Sequence, residues 1–189
     1  MDKPAELRDI TVLFSDLKGF TKTSEDLGPE GISAFLNEYL SVMNEVIFEH
    51  GGTIDKFIGD AIMVLFGAPQ DMSPQEQVRR ATDCAKAMQR AMDGITRMWE
   101  SDGVGHLQMR IGIHHGSAVV GNFGSTQRSD YTAIGPCVNL AARIESASKP
   151  GEVFVSEATA KLLGESAAVK VGAFELKGIA GETTLYRVL

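Results

Sequence analysis

Cysteine is scarce in this sequence, and long apolar runs are missing from it. Only Cys84 and Cys137 are present, one in a helical pattern and one beside a proline, so neither a disulfide framework nor a zinc site is indicated. Two such thiols suit a reducing cytoplasm. The longest uninterrupted apolar stretch, 61–66, is far short of the roughly 20 residues that span a bilayer. We therefore expect a cytoplasmic domain whose own residues make no direct membrane contact.

Basic residues are also few, at 18 Lys and Arg against 25 Asp and Glu, which gives a net charge of −7. A nucleic-acid surface needs clustered Lys and Arg to displace counterions from phosphates, so we expect no nucleic-acid partner. The first four residues, MDKP, show no signal-peptide character. Any chemistry on phosphate groups must then be local and assisted by metal ions.

What the sequence does contain is the composition of an ordinary globular domain. Hydrophobic residues make up 43% and charged residues 23%, and the 20 glycines indicate many turns. A chain of 189 residues is long enough to bury a substantial core. We predict a single domain over residues 1–189.

Strand-like and helix-like patterns alternate along the chain. Strands are predicted at 10–14, 53–58, 61–66, 109–114, 118–122 and 130–134, and helices at 30–49, from 74 onward, from 136 onward and at 157–163, the last within a strand-rich C-terminal segment. This order is that of a ferredoxin-like βαββαβ core with additional strands, an α/β sandwich of two layers. Ser73 is predicted to cap the second helix, and Gly59 and Asp60 are predicted to form a tight hairpin turn.

Asp16 and Asp60 are the strongest candidates for chemistry. Each follows the end of an apolar strand, and the two side chains could meet across a sheet. Two carboxylates that hold hard cations are what a two-metal displacement at phosphorus needs, because one ion activates the attacking oxygen and the other neutralises the triphosphate. Spacing alone leaves another interpretation open, in which Asp60 serves only the turn and Asp16 only the end of its strand.

Four blocks, taken in order, resemble the class III adenylate and guanylate cyclases. They are FSDLKGF at 14–20, DKFIGD at 55–60, MRIGIHHG at 109–116, and YTAIG at 131–135 together with VNLAAR at 138–143. The first two resemble the paired metal motifs of the family, the third its arginine-bearing strand, and the fourth its substrate and transition-state block. One block alone is weak evidence, but four in the family's order span nearly the whole chain.

The resemblance implies roles for the matching charged residues. Asp16 and Asp60 would bind two Mg²⁺ or Mn²⁺ ions per active site, with the backbone carbonyl of Leu17 as a further ligand. Arg110 would contact the phosphates of the substrate. Lys177, the loosest of these matches, would meet the terminal phosphates, and an ordinary surface lysine is the alternative.

Asn139 and Arg143 are four positions apart on a predicted helix and so share a face. The resemblance implies that this pair orients the ribose and stabilises the charged transition state at the α-phosphate. Arg suits that role because its planar fork stays ionised and can grip two phosphate oxygens at once. The alternative is that Arg143 pairs with Glu145 or Asp130 on a solvated face.

Base choice would depend on Lys56 and Thr132. Strand alternation predicts that Lys56 shares a face with Ile54 and Ile58, an odd position for an ammonium group without a specific partner. In the family, lysine here with Asp or Thr at the position of Thr132 goes with adenine, whereas Glu with a small residue goes with guanine. Thr132 departs from the commonest Asp and so resembles the class IIIb branch, in which stimulation by bicarbonate or carbon dioxide recurs. Strand propensity alone is the alternative explanation for Thr132.

Two further features are not assigned to the site. His114 and His115 are consecutive in a predicted strand, so they face opposite sides and cannot chelate one ion. Gly116, Gly121 and Gly124 are predicted to lie in a hairpin rather than before a helix, so they do not form a phosphate cradle.

The resemblance therefore implies an adenylate cyclase, which makes 3′,5′-cyclic AMP and pyrophosphate when the ribose 3′-hydroxyl of ATP attacks the α-phosphate in line. Because one chain carries both sets of motifs, it resembles the homodimeric members, in which one subunit supplies the metal carboxylates and the other the base and transition-state residues. Two alternatives stay open: a guanylate cyclase, and a catalytically silent module that dimerises or binds nucleotide to regulate a partner. Such domains are usually joined to sensor or membrane modules, so a regulatory domain in a longer parent chain is expected.

Overall fold

A computed structural model describes residues 4–104 and 107–189, which leaves most of the MDKP segment outside the described residues. Within these ranges the chain forms one sheet of eight strands and four α-helices. The strands are β1 (Glu6–Lys18), β2 (Thr53–Ile58), β3 (Ala61–Phe66), β4 (Gln108–Gly124), β5 (Ser129–Ile134), β6 (Val153–Ser156), β7 (Ala168–Glu175) and β8 (Glu182–Val188). The helices are α1 (Phe20–Glu49), α2 (Pro74–Met98), α3 (Pro136–Ala147) and α4 (Glu157–Leu163).

The sheet has the strand order β2-β3-β1-β4-β6-β8-β7, and β5 pairs with β4 outside this path. β1 lies between β3 and β4 and is antiparallel to both. β6 pairs with β4 in parallel, as expected after a helical crossover. The predicted ferredoxin-like arrangement with additional strands is confirmed.

The main core lies between one face of the sheet and helices α1 and α2. Leu13 and Ile111 of the sheet and Tyr39 and Met88 of the helices are fully buried there. A second, smaller core lies on the opposite face, where Cys137 and its neighbours in α3 pack against the sheet. The sheet therefore carries helices on both faces, and among the described residues α3 is the helix that covers the face with the candidate site.

Several local predictions are confirmed by the structure. β2, β3 and α4 have the predicted bounds, and Gly59 occupies the hairpin turn with φ of 61°, a left-handed conformation that suits glycine. Ser73 caps α2, because its hydroxyl accepts a hydrogen bond from the Glu76 N–H at 3.3 Å.

Two strands are longer than their sequence patterns predicted. β1 continues past Asp16 to Lys18, and β4 is one strand where two were expected. The reason is the long ladder between them, which pairs every residue from Glu6 with Val120 to Lys18 with Gln108. The prediction of a hairpin at Gly116 was wrong, since both Gly116 and Gly121 lie inside β4; the hairpin that exists joins β4 to β5 at its Gly124 end.

Helix α1 begins at Phe20, ten residues before the predicted start at 30. It is interrupted at Gly28, whose φ of 71° and ψ of 176° are accessible essentially to glycine alone. Pro29 follows and begins the second helical segment. The backbone N–H at this position of a helix has no intrahelical acceptor, so proline, which lacks an N–H, is tolerated there. No helix in the described ranges combines the length and the apolar character needed to cross a membrane.

Candidate active site

Asp16 lies on β1 directly opposite Arg110 on β4, on the face of the sheet that α3 covers. The two side chains form a bidentate ion pair, with Arg110 Nε donating to Asp16 Oδ1 at 3.0 Å and Arg110 Nη2 donating to Oδ2 at 2.9 Å. A two-pronged contact of this kind fixes the orientation of a carboxylate as well as its charge. The structure thus places Arg110 beside a predicted metal ligand.

Asp60 reaches the same place from the β2–β3 turn. Its Oδ2 accepts a hydrogen bond from the backbone N–H of Leu17 at 2.8 Å. The two carboxylates predicted to act together therefore converge, because Leu17 is the immediate neighbour of Asp16 in β1. The side chain of Leu17 points into the main core, which anchors this stretch of backbone.

The electrostatics of the two carboxylates differ. Burial tends to raise the pKa of Asp16, but the adjacent carboxyl group of Glu145 and the pairing with Arg110 lower it overall. Burial raises the pKa of Asp60, the Leu17 N–H opposes this rise, and the charge of Asp16 adds to it. The site therefore holds more negative charge than Arg110 alone neutralises.

Glu145 of α3 is the third carboxyl group of this cluster. Its Oε1 lies 3.8 Å from Arg110 Nε and makes no hydrogen bond, although it is buried. Burial raises the pKa of Glu145 to about 9, and the adjacent Asp16 adds to the shift. Glu145 is thus a neutral acid at neutral pH, and it faces Arg110 rather than Arg143.

Arg143 and Asn139 lie on a different face of α3. Glu145 is two positions after Arg143, so the two side chains point about 200° apart around the helix. Because Glu145 points to Asp16 of its own chain, Arg143 points away from that carboxylate. The predicted alternative of an ion pair to Glu145 or Asp130 is not what the structure has, since Glu145 contacts Arg110 and Asp130 lies 3.9 Å from Arg128.

Lys56 does not share a face with Ile54, and the prediction from strict alternation was wrong there. A β-bulge lies between these residues, so that Ile54 pairs with Val64 while Lys56 pairs with the next residue, Met63. One extra residue in a strand reverses the faces of all later residues in that strand. The Lys56 side chain is 48% exposed, so its ammonium group keeps access to solvent.

Thr132 lies on β5 and is buried against β2. Its hydroxyl donates to Asp55 Oδ2 at 2.6 Å, and the N–H of the next residue, Ala133, donates to the same oxygen at 3.3 Å. The other oxygen, Asp55 Oδ1, is 3.6 Å from Lys56 Nζ. The two residues predicted to choose the base are therefore joined through one carboxylate.

Comparison with known proteins decides the family. The family model described as the adenylate and guanylate cyclase catalytic domain matches residues 3–189. The chain belongs to the adenylate and guanylate cyclase family. Among curated relatives, adenylate cyclase 1 of Rhizobium meliloti (strain 1021) is 35% identical over 142 residues, and the adenylate cyclase of Anabaena cylindrica is 41% identical over 145 residues.

Solved structures agree with this assignment. The adenylyl cyclase CyaB from P. aeruginosa is 38% identical with a TM-score of 0.95, over 99% of this chain and 96% of that one. The guanylyl cyclase Cya2 is 41% identical with a TM-score of 0.91, over 98% of this chain and 94% of that one. The matched region covers 75% and 77% of this chain but only 21% and 28% of the two curated relatives, so the cyclase domain corresponds to a small part of each.

The carboxylates of this cyclase domain fit divalent cations. Over residues 4–104 and 107–189, no three His, Cys, Asp or Glu side chains are grouped to hold a metal. Mg²⁺, however, commonly binds through one or two carboxylates together with substrate phosphates. Asp16 accepts two hydrogen bonds from Arg110, which does not use all the lone pairs of a carboxylate, so acceptor capacity remains for a cation. The pKa of Asp60 is raised mainly by burial and further by the charge of Asp16, and a bound cation would offset that charge.

The other predicted residues of the cyclase domain lie outside this cluster. Lys177 is exposed and lies two positions after the end of β7. His114 Nδ1 lies 2.7 Å from the Ser156 hydroxyl, whereas His115 Nδ1 lies 2.9 Å from the Thr11 hydroxyl, so the two rings do contact different elements.

Sequence reasoning missed two residues of the site, Asp55 and Glu145. Asp55 belongs to the DKFIGD block, but the pattern did not indicate that a bulge would turn it toward β5. Glu145 carried a recognisable signal: it lies one position after Ile144, on the buried side of α3. A carboxyl group at the edge of an apolar helical stripe indicates a buried partner, and here that partner is Arg110.

Proposed function

We propose that this cyclase domain converts ATP to 3′,5′-cyclic AMP and pyrophosphate, at sites shared between two copies of the chain. The observation that supports it best is the convergence of Asp16 and Asp60, with Arg110 neutralising only part of their charge. The preference for ATP is supported by the proximity of Lys56 and Thr132, which touch the same carboxylate.

The metal half of the site would be formed by Asp16, Asp60 and the backbone carbonyl of Leu17. These oxygen ligands would hold two Mg²⁺ or Mn²⁺ ions, which when bound supply charge neutralisation for the triphosphate and an activated attacking oxygen. Arg110 keeps Asp16 oriented and ionised, and its remaining donors can reach phosphate oxygens of the substrate.

The other half of the site would come from the partner copy. Arg143 points about 200° around α3 from Glu145 and so away from Asp16 of its own chain, and Asn139 shares the Arg143 face, which supports the use of both at the site of a second subunit. Asn139 would orient the ribose, and Arg143 would bind the α-phosphate oxygens as charge develops there. Lys177, exposed after β7, would contact the terminal phosphates.

The proposed reaction is a single displacement at phosphorus. The ribose 3′-oxygen loses its proton to solvent water and bonds to the α-phosphorus, while the bond from that phosphorus to the bridging oxygen of the β-phosphate breaks. Pyrophosphate leaves with the bonding electrons. The protein mainly positions the reacting groups and balances their charge, which is the usual source of catalysis in such transfers.

Product identification tests this proposal. The domain is incubated with ATP or GTP, with Mg²⁺ or Mn²⁺, at protein concentrations that span dimerisation, and cyclic nucleotides are separated and quantified. We expect cyclic AMP to dominate and Asp60→Asn to lower its rate at least about 100-fold. Asp93→Asn, a change to an exposed carboxylate on α2, is the matched control and is expected to leave the rate unchanged.

Two other outcomes would favour the alternatives. A larger yield of cyclic GMP than of cyclic AMP would identify a guanylate cyclase. The similarity to the guanylyl cyclase Cya2 is the reason to test for this product. No cyclic nucleotide from either substrate, with Mn²⁺ and at dimerising concentrations, would indicate a silent regulatory module. Bicarbonate stimulation remains a prediction from Thr132, and a flat response to bicarbonate at fixed pH would remove it.

A further inference from the structure

Asp55 occupies an unusual position in β2. It is the extra residue of the β-bulge, between Ile54, which pairs with Val64, and Lys56, which pairs with Met63. Bulges commonly turn a side chain in a direction that a regular strand does not allow. Here the bulge directs the Asp55 carboxylate toward β5, where only 1% of the side chain remains exposed.

The contacts of this carboxylate determine the direction of each hydrogen bond. Asp55 Oδ2 accepts from the backbone N–H of Ala133, a group that can only donate. Asp55 Oδ1 lies 3.6 Å from the ammonium group of Lys56, also a donor only. The carboxylate between these groups acts as an acceptor, so the Thr132 hydroxyl, 2.6 Å from Oδ2, must be the donor in its bond.

A hydroxyl group has one proton and two lone pairs. Once the Thr132 proton is given to Asp55, the oxygen can only accept hydrogen bonds from other partners. Adenine carries a 6-amino group, which donates, whereas guanine carries a 6-oxo group, which accepts. An oxygen held as an acceptor is thus matched to adenine and opposed to guanine.

We propose that Asp55 is a positioning residue for base selectivity, which holds the Thr132 hydroxyl as an acceptor for the 6-amino group of adenine. This inference rests on the proposed function, in which Thr132 and Lys56 contact the base. Asp55 itself does not touch the nucleotide. Without it the Thr132 hydroxyl can rotate and donate to a 6-oxo group, so discrimination against guanine is lost.

The test compares kcat/KM for ATP, GTP and inosine triphosphate, which has the 6-oxo group without the 2-amino group of guanine. Asp55→Ala is expected to lower the ATP:GTP and ATP:ITP ratios about tenfold, the effect of removing one mismatched buried acceptor. The ratio of the kcat/KM values for two substrates, measured on one protein sample, does not change when part of the sample is unfolded. A loss of stability alone therefore leaves this ratio unaltered.

Asp55→Asn is the matched variant. Its amide oxygen can take the place of Oδ2 and accept from both Thr132 and Ala133, while its amide nitrogen replaces the oxygen beside Lys56. We expect Asp55→Asn to keep the ATP:GTP ratio within about threefold of the wild-type value. In a Thr132→Val background, which has no hydroxyl to orient, Asp55→Ala is expected to leave the ratio unchanged.

Three results would overturn the inference: an unaltered ratio in Asp55→Ala, a loss in Asp55→Asn as large as in Asp55→Ala, or an equal effect of Asp55→Ala with and without the Thr132 hydroxyl. The second result would assign selectivity to the ion pair with Lys56. These failures are distinct from failure of the proposed function, because a wild-type domain that makes no cyclic AMP from ATP would be recognised before any variant is compared.

Discussion

Two inactive variants, Asp16→Asn and Arg143→Ala, are expected to restore activity to each other when mixed. The reason is the geometry of α3, in which Glu145 points to Asp16 of its own chain and Arg143 points about 200° away around the helix. If each site takes Asp16 from one chain and Arg143 from the other, a mixed dimer has one site with both defects and one site with none.

The size of the rescue follows from this arrangement. Equal amounts of two freely exchanging chains give about half of the dimers as mixed dimers, and each of these carries one intact site of two. The mixture should therefore reach about a quarter of wild-type activity per chain, whereas each variant alone should fall at least about 100-fold.

The assay measures cyclic AMP formation after co-expression of differently tagged chains, both before fractionation and in mixed dimers recovered by sequential purification on both tags. The purified mixed dimers, each with one intact site of two, should reach about half of wild-type activity per chain. A mixture of Asp16→Asn with Asp60→Asn is the matched control. Both changes affect the metal half, so in that mixed dimer each site has a defect and no rescue is expected. Rescue no larger than in this control, in dimers that carry both tags, would refute the shared site.

Two further predictions concern the contact between α3 and β4. Gly112→Ala should lower the free energy of unfolding, measured by chemical denaturation, by about 2 kcal/mol, because a Cβ there would lie 2.2 Å from the backbone nitrogen of Glu145. Gly94→Ala is the control, since Gly94 has open space around it in α2, and it is expected to be neutral or stabilising. Equal effects of the two variants on stability would contradict the reasoning. Glu145 should make stability fall with rising pH, because its pKa is about 9 in the folded chain against an ordinary 4.5, so the unfolded chain releases this proton first. In metal-free protein, the stability of Glu145→Gln relative to wild type should therefore rise between pH 5 and pH 9 by about 1 kcal/mol or more, and parallel pH curves would contradict the assignment.

Local sequence patterns were sufficient to predict an element's position wherever the element's own residues determine it. The β2–β3 hairpin has its predicted bounds because two apolar runs flank a Gly-Asp turn. The start of α2 was predictable because Ser73 and a following proline are a strong helix-start signal. The convergence of Asp16 and Asp60 was predictable because each follows an apolar strand-like run, and the β1 and β3 strands that carry these runs are neighbours in the sheet.

The full lengths of β1 and β4 were not predictable from their own residues. Glycines such as Gly116 usually interrupt a strand, and here the long antiparallel ladder with β1 keeps the strand intact. Partner strands supply the hydrogen bonds that compensate for weak local propensity, and no window of one segment contains that information.

The sequence by itself indicated the cyclase family, through two acidic residues, a helix with Asn139 and Arg143 four positions apart, and a lysine and a threonine in the family's order. Only the tertiary structure decided which groups hold these residues in place. Asp55 meets Thr132 across 77 positions, and Arg110 meets Asp16 across 94. A bulge that reverses the faces of β2, and a helix that buries Glu145 against the sheet, arise from packing between segments far apart in the chain, which local periodicity does not record.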